Sequence, residues 1–350
     1  MKAIIFSALF VISAMTYATV ITVDNNGNAP AGVETSIATA IGNATAGDTL
    51  LIIPSSSTYG NVNVTKPLTI IGVGFNPDME IPFTSQVSNL TIYTAASGSK
   101  IIGLEITGYL YLGNTSGALS DLVIENNRIN YISNSGANSL TNVLIRQNVI
   151  QPTPTFTFSI NLTTTNQSNI RVSNNVFANT GTTNQYRGAY VTTGGVTFDH
   201  NTFLGTASQS AFYQLINCLV TNNIFVTIYP GFQAGGSANV LYKNNLSNDY
   251  TFGSITGTNI RFDSNIDTTD PTFVNLPLTT FSYDYSLDPT LDAGSAGENA
   301  ATDGTNLGVD GGTSPFKLSG SVLPVVRRFD LPSNITEGTD ADATIEVTGN

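Results

Sequence analysis

Tryptophan is absent from these 350 residues, cysteine and histidine occur once each, and Lys and Arg together number only 12. Each shortage excludes something. A single cysteine, Cys218, leaves no disulfide within the chain, so stability must come from the core alone. Twelve cations against 24 acids argue against a nucleic-acid surface, which needs clustered Lys and Arg. Beyond residue 18 no stretch is apolar enough to span a bilayer. Without tryptophan, stacking on a sugar face would fall to tyrosines such as Tyr186, Tyr190, Tyr213 and Tyr229.

Between Leu122 and Asp267 one short phrase is written seven times, from Val-Ile-Glu-Asn-Asn-Arg-Ile to Arg-Phe-Asp-Ser-Asn-Ile-Asp. One asparagine recurs at Asn127, Asn148, Asn175, Asn201, Asn223, Asn245 and Asn265, at spacings of 21, 27, 26, 22, 22 and 20 residues. Repeats of that length signify a solenoid. Five and three places before each asparagine stand apolar residues, such as Leu122 and Ile124 or Cys218 and Val220. Two-residue alternation puts them on one face of a strand. Two places after it, Ile129, Ile150, Phe177, Phe203 and Phe225 return to the interior. The column two places before it (Glu125, Arg146, Ser173, Asp199, Thr221, Lys243, Asp263) must face out.

Units this short have no room for a crossover helix, so successive strands can pair in parallel only by coiling. The expected fold is all-β, a single-stranded parallel β-helix. Each asparagine falls at a corner, which suits a residue tolerant of left-handed backbone. Stacked about 4.8 Å apart, its amide can donate to the next copy and accept from the previous one.

The Asn-Asn corner resembles the asparagine ladder of the pectate-lyase-like superfamily of secreted right-handed parallel β-helices. The resemblance covers most of the chain and implies a right-handed coil, as does the rule for parallel crossovers. "Ala-Gly-Asp-Thr-Leu-Leu-Ile-Ile" at 46–53 and "Lys-Pro-Leu-Thr-Ile-Ile-Gly" at 66–72 resemble opening coils of that superfamily.

In chain order, residues 1–18 read as a signal peptide, with Lys2, the apolar run Ile4–Ile12 and the small-residue site Thr16-Tyr17-Ala18. A secreted or cell-surface protein is therefore expected. Residues 19–47 supply a first strand and an amphipathic capping helix through Ile37, Ala40 and Ile41. Residues 48–315 form the β-helix, with two long corner loops at Pro152–Gln167 and Asn179–Ala189. Residues 316–350 form a C-terminal β cap or the start of a small β appendage. Residues 1–262 carry 9 Lys or Arg and 10 Asp or Glu, a net of −1. Residues 263–350 carry 3 and 14, a net of −11, which together give the −12 of the whole chain. Clustered acids such as Asp303 and Asp310 could hold Ca²⁺, but their spacing fits no EF-hand and solvated turn acids explain them as well.

Enzymes of this superfamily work on the outer face of one sheet, and the outward columns offer few matches. None of the Asn-Thr-Asp, Asp-Asp, Gly-His-Gly and Arg-Ile-Lys elements of polygalacturonase-type hydrolases is present. "Thr-Phe-Asp-His-Asn" at 197–201 resembles the Trp-Ile-Asp-His element of pectate lyases, without its tryptophan and without the Arg-x-Pro-x-x-Arg element. An enzyme, if this is one, would be a polysaccharide lyase with Arg146, Arg171, Asp199 and His200 as candidate catalytic residues. Glu125, Tyr186, Arg187, Tyr190 and Lys243 are candidate substrate contacts, and no metal ligands are assigned. Those charges are equally explained as cross-strand pairs, Glu125 against Arg146 and Lys243 against Asp263.

One column, Val123, Leu144, Arg171, Thr197, Leu219, Leu241 and Arg261, is outward yet partly apolar. Such a stripe predicts a cover, whether the C-terminal strands, the long loops or an external partner, and the chain itself is the expected one. The reading is a monomer that binds, and could cleave, an extracellular polysaccharide. The alternatives are a non-catalytic adhesive rod and, third, an ice-binding surface, for which no outward column is uniformly threonine.

Overall fold

In a computed structural model, the structure describes residues 18–27, 29–75, 83–114, 116–134, 139–153, 158–178, 187–232, 236–280, 282–318, 325–330 and 344–348. The expected signal peptide, residues 1–18, falls almost wholly outside them, and Tyr186 lies outside them too.

Alternating apolar residues build a parallel β-solenoid. One sheet stacks eleven parallel strands, from Val20–Val23 through Ala118–Glu125, Ser139–Arg146, Asn166–Ser173, Val196–Asp199, Leu219–Thr221 and Ala238–Lys243 to Thr258–Asp263. Its register reproduces the sequence alignment. Glu125, Arg146, Ser173, Asp199, Thr221, Lys243 and Asp263 are successive partners, as are Val123, Leu144, Arg171, Thr197, Leu219, Leu241 and Arg261 from one strand to the next. A second sheet forks at the strand Arg128–Ser133. Its first half pairs with Val149–Ile150 and leads into short strands ending at Leu246–Ser247. Its second half pairs with Phe158–Leu162 and leads to Arg187–Val191, Ser210–Leu215 and Tyr229–Phe232. The solenoid therefore has three faces.

The inward columns fill the coil. Ile129, Ile150, Phe177, Phe203 and Phe225 are all essentially inaccessible to solvent. The rings of Phe177, Phe203 and Phe225 stack at 4.5 and 5.0 Å between centroids. Burying each contributes about 1.5–3 kcal/mol, which makes this column a principal source of stability. Cys218 is buried, and that burial pushes its thiol up to about 12, so it behaves as a small apolar residue.

At each corner the predicted ladder is present. Every Nδ2 from Asn127 to Asn245 donates to the Oδ1 of the next copy at 2.9–3.0 Å. The backbone N–H of each donates to that same oxygen, and a carbonyl of the preceding coil accepts a further Nδ2 bond. The left-handed residue, however, is not the ladder asparagine but the one before it: Asn126, Gln147, Asn174, His200, Asn222, Asn244 and Ser264 have φ of 49–58°. Turning at that position keeps the ladder asparagine out of the left-handed region, with its amide aligned along the stack.

The N-terminal end is plugged as expected. Ser36 caps the helix Ile37–Asn43, accepting from the Thr39 amide, and Ile37, Ala40 and Ile41 enter the core. Two expectations are corrected. Phe158–Leu162, Asn166–Ser173 and Arg187–Val191 are strands, so over these residues the two long corner loops are sheet. Residues 152–153 and 163–165 remain outside the strands, and 154–157 and 179–186 lie outside the described residues.

The second correction concerns the segment after the last coil. Its residues up to 318, expected in the β-helix as far as 315, add no strand to the parallel stack; they fold back as a strap along its outer corner. The left-handed column grips it in reverse order: Asn244 donates to Ala300 O, Asn222 to Thr302 Oγ1, Asn174 to Val309 O and Gly311 O, and Gln147 to Ser314 O and Pro315 O. Beneath the strap Leu307, Val309 and Phe316 pack on Val149, Val176, Ile224 and Leu246, residues just past the ladder that turn outward. The strap covers this face and not the partly apolar column predicted to need a cover. Leu144, Leu219 and Leu241 stay half-buried. Further on, Val325–Asp330 pairs antiparallel with Thr344–Thr348. No helix among the described residues is long and apolar enough to cross a membrane.

Candidate functional site

The uncovered column lies in a groove of about 1020 Å³ on the outer face of the eleven-stranded sheet. Its floor carries Thr197, Leu219 and Leu241, which face out because they alternate with the buried Val196, Cys218 and Val240. One wall is a row of exposed carboxamides, Asn169, Asn217 and Asn239. The other is Asp199, Asn222 and the strap residues Thr302 and Asp303. Arg171 stands toward one end, with Lys243 and Arg261 toward the other. Arg171 and Arg261 share a column four strands apart, roughly 19 Å at the usual strand spacing. Three cations against two carboxylates give the lining a net charge of +1 on a chain of −12.

At the Arg171 end lies a buried charge cluster. Arg171 Nη2 is 2.6 Å from Asp199 Oδ2, with the arginine side chain 50% exposed and the aspartate 11%. Asp199 Oδ1 accepts from Thr221 Oγ1 at 3.0 Å and from Asn222 Nδ2 at 2.7 Å. His200 Nδ1 also lies 3.0 Å from Oδ1, but its alignment is too poor for a hydrogen bond. Burial alone would raise the Asp199 pKa. The imidazole of His200, the Asn222 amide and the Arg171 guanidinium outweigh it and hold the carboxyl at about 2.

His200 occupies the left-handed position filled elsewhere by Asn, Gln or Ser, and its side chain is 1% exposed. Its Nε2 is 3.3 Å from Thr305 Oγ1 and 3.7 Å from Asp303 Oδ1. The strap presses on the ring: a methyl group at Gly311 would lie 2.6 Å from His200 Cδ2. This cluster can therefore orient Arg171 toward the groove. The Asp199 oxygens are already engaged by Arg171, Thr221 and Asn222, and the imidazole is sealed from solvent.

Of the candidate residues, Arg171, Asp199, His200 and Lys243 converge on the groove. Lys243 is paired with Asp263 at 3.0 Å. Glu125 and Arg146 pair at 2.9 Å outside the lining, where Arg146 Nη1 also donates to Ser314 of the strap. Tyr190 lies on another face, packed against Phe158 and Tyr213. The Arg187 backbone lies in the same strand as Tyr190. Tyr186 lies outside the described residues. Asp303 accepts from Thr305, and Asp310 from Asn306 and the Leu291 amide. Among the described residues no three His, Cys, Asp or Glu side chains gather to hold a metal.

Two features were missed in the sequence. Arg261 lines the groove and has no carboxylate partner among the described residues. The carboxamide wall is a second ladder, six places before the first: Asp121, Asn142, Asn169, Asn217, Asn239 and Asn259, all left-handed at 51–59°. It was legible as a repeat, but a polar residue at a turn carries no hydrophobic signal.

No protein-family model matches the chain, and no curated protein sequence matches it.

Proposed function

We propose that the groove binds a linear acidic polysaccharide lying across the strands, along the solenoid axis. The observation that carries the reading is a locally cationic cleft on a strongly acidic chain. Arg171, Lys243 and Arg261 would meet carboxylates, Leu219 and Leu241 the apolar sugar faces, and the carboxamide wall the hydroxyls. Membership in the pectate-lyase-like superfamily and export directed by residues 1–18 belong to the same reading. These groups support binding more than cleavage: of the two lining carboxylates, Asp199 is engaged by its neighbours and Asp303 is held by Thr305 on the strap.

The test is affinity electrophoresis with polygalacturonate and alginate, read alongside the ultraviolet absorbance of unsaturated uronate. Arg261→Ala should weaken retardation about 5-fold, the scale of one exposed ion pair. Retardation that is absent, or indifferent to Arg171→Ala and Arg261→Ala together, overturns the reading.

One set of observations favours a second reading, a non-catalytic structural rod. Arg146, Arg171 and Lys243 are all paired with neighbouring strands. On that account every polymer would pass the protein by.

A further inference from the structure

The exposed ladder is broken at one rung. Asn142 Nδ2 donates to Asp121 Oδ1 at 3.0 Å and Asn169 Nδ2 to Asn142 Oδ1 at 2.8 Å. Beyond the break, Asn239 donates to Asn217 and Asn259 to Asn239, each at 2.8 Å. Every rung thus donates toward the N-terminal end. The position between Asn169 and Asn217 belongs to Gly195, which has no side-chain carboxamide to contribute. By the geometry of the intact rungs, Asn169 Oδ1 and Asn217 Nδ2 face each other across the break, one an acceptor and the other a donor. All three residues line the groove.

The chain cannot supply this rung itself. A Cβ at Gly195 would lie 2.4 Å from the Gln167 carbonyl oxygen, and one at Gly194 2.6 Å from Asn217 Cβ. A ligand can supply it. The group needed must donate to Asn169 and accept from Asn217 along one line. A single hydroxyl bridges too little, about 5.6 Å for two hydrogen bonds end to end. A trans secondary amide adds the width of its own N–C–O unit, and hydrogen-bonded amides repeat at about 4.8 Å, the spacing of the coils. Arg171 stands two residues along the strand from Asn169, about 7 Å away.

Resting on the groove being a polysaccharide site, we infer that the broken rung is a subsite for the acetamido group of an N-acetylated amino sugar. The preferred ligand is then a polymer in which such a sugar adjoins a uronic acid. The amide N–H donates to Asn169 Oδ1, the amide carbonyl accepts from Asn217 Nδ2, and the neighbouring carboxylate faces Arg171.

The test compares hyaluronan oligosaccharides with polygalacturonate oligosaccharides of equal length, by calorimetry on the full chain. Two added hydrogen bonds predict about 10-fold tighter binding of the N-acetylated ligand. Asn169→Gly and Asn217→Gly should each abolish this preference, weakening hyaluronan about 10-fold more than polygalacturonate. Glycine suits both positions, since Gly195 already holds the same left-handed conformation in this column. As a second readout, the Asn217 side-chain amide resonances should shift with hyaluronan and not with polygalacturonate. Equal affinities that remain sensitive to Arg261→Ala would overturn the subsite and leave the groove standing. Failure of both ligands to bind would overturn both.

Discussion

Two amide ladders, six residues apart, run along the last seven strands of the eleven-stranded sheet, and they differ in almost everything but composition. The inner ladder, Asn127 to Asn265, is inaccessible to solvent over its first six members, unbroken, and donates toward the C-terminal end. The outer one, Asp121 to Asn259, is exposed, donates toward the N-terminal end and is broken at Gly195. Inside, each carboxamide is the only partner for a neighbouring backbone N–H, so the column tolerates no gap. Outside, water substitutes for any missing bond, so a gap costs little and can be put to use. Identical chemistry is structural where it is dry and available to a ligand where it is wet.

The comparison breaks most sharply at Asn201. Its Oδ1 accepts from both the backbone and the side-chain amide of Asn175, and its Nδ2 donates to Val172 O and Asn223 Oδ1. Asn201→Ala strands these groups in a dry corner and should cost about 4 kcal/mol, summing penalties of roughly 1–3 kcal/mol each. Urea unfolding measures it, and a loss under about 1 kcal/mol would mean that burial does not separate the ladders.

Asp199 gives the next largest effect and tests burial through pH. Its folded pKa is depressed from 3.8 to about 2, so the stabilisation is present above pH 4 and is lost as pH falls toward 2. At 1.36 kcal/mol per unit this is about 2 kcal/mol. Asp199→Asn should flatten the stability profile by that amount between pH 4 and 2. An unchanged profile would show that the Arg171–Asp199–Asn222 cluster is solvated and that Arg171 is not fixed.

How much of this the sequence carried depends on whether a residue's neighbours recur. The inner columns recur every 20 to 27 residues with apolar flanks, so register, core and inner ladder were legible, as were the pairs Glu125–Arg146 and Lys243–Asp263. The turn was placed one residue late, on Asn127 and its copies in place of Asn126, because Asn-Asn offers two equivalent candidates and only backbone geometry chooses. The outer ladder escaped notice because polar turn residues look like any loop. The strap was illegible for a different reason. Residues 270–318 have no period, and their contacts run to positions such as Gln147 and Asn174, more than 130 residues away. Arg171, Asp199 and His200 were singled out, but the fold-back that buries His200 could not be.

The smallest predicted effect is the one that most sharpens the contrast. Asn239 has the same two ladder bonds as an inner asparagine, accepting from Asn259 and donating to Asn217, both at 2.8 Å. It is exposed and left-handed at 55°. In Asn239→Gly both bonds disappear, yet their partners pass to water, and glycine adopts the backbone without strain. Loss of two solvated hydrogen bonds should then move stability by no more than about 0.5 kcal/mol, the usual range for surface substitutions. Urea unfolding of Asn239→Gly beside Asn201→Ala reads the difference directly. Should Asn239→Gly cost as much as Asn201→Ala, the outer ladder would be a structural element in its own right. Its break at Gly195 would then be a weak point of the fold and not a place for a ligand.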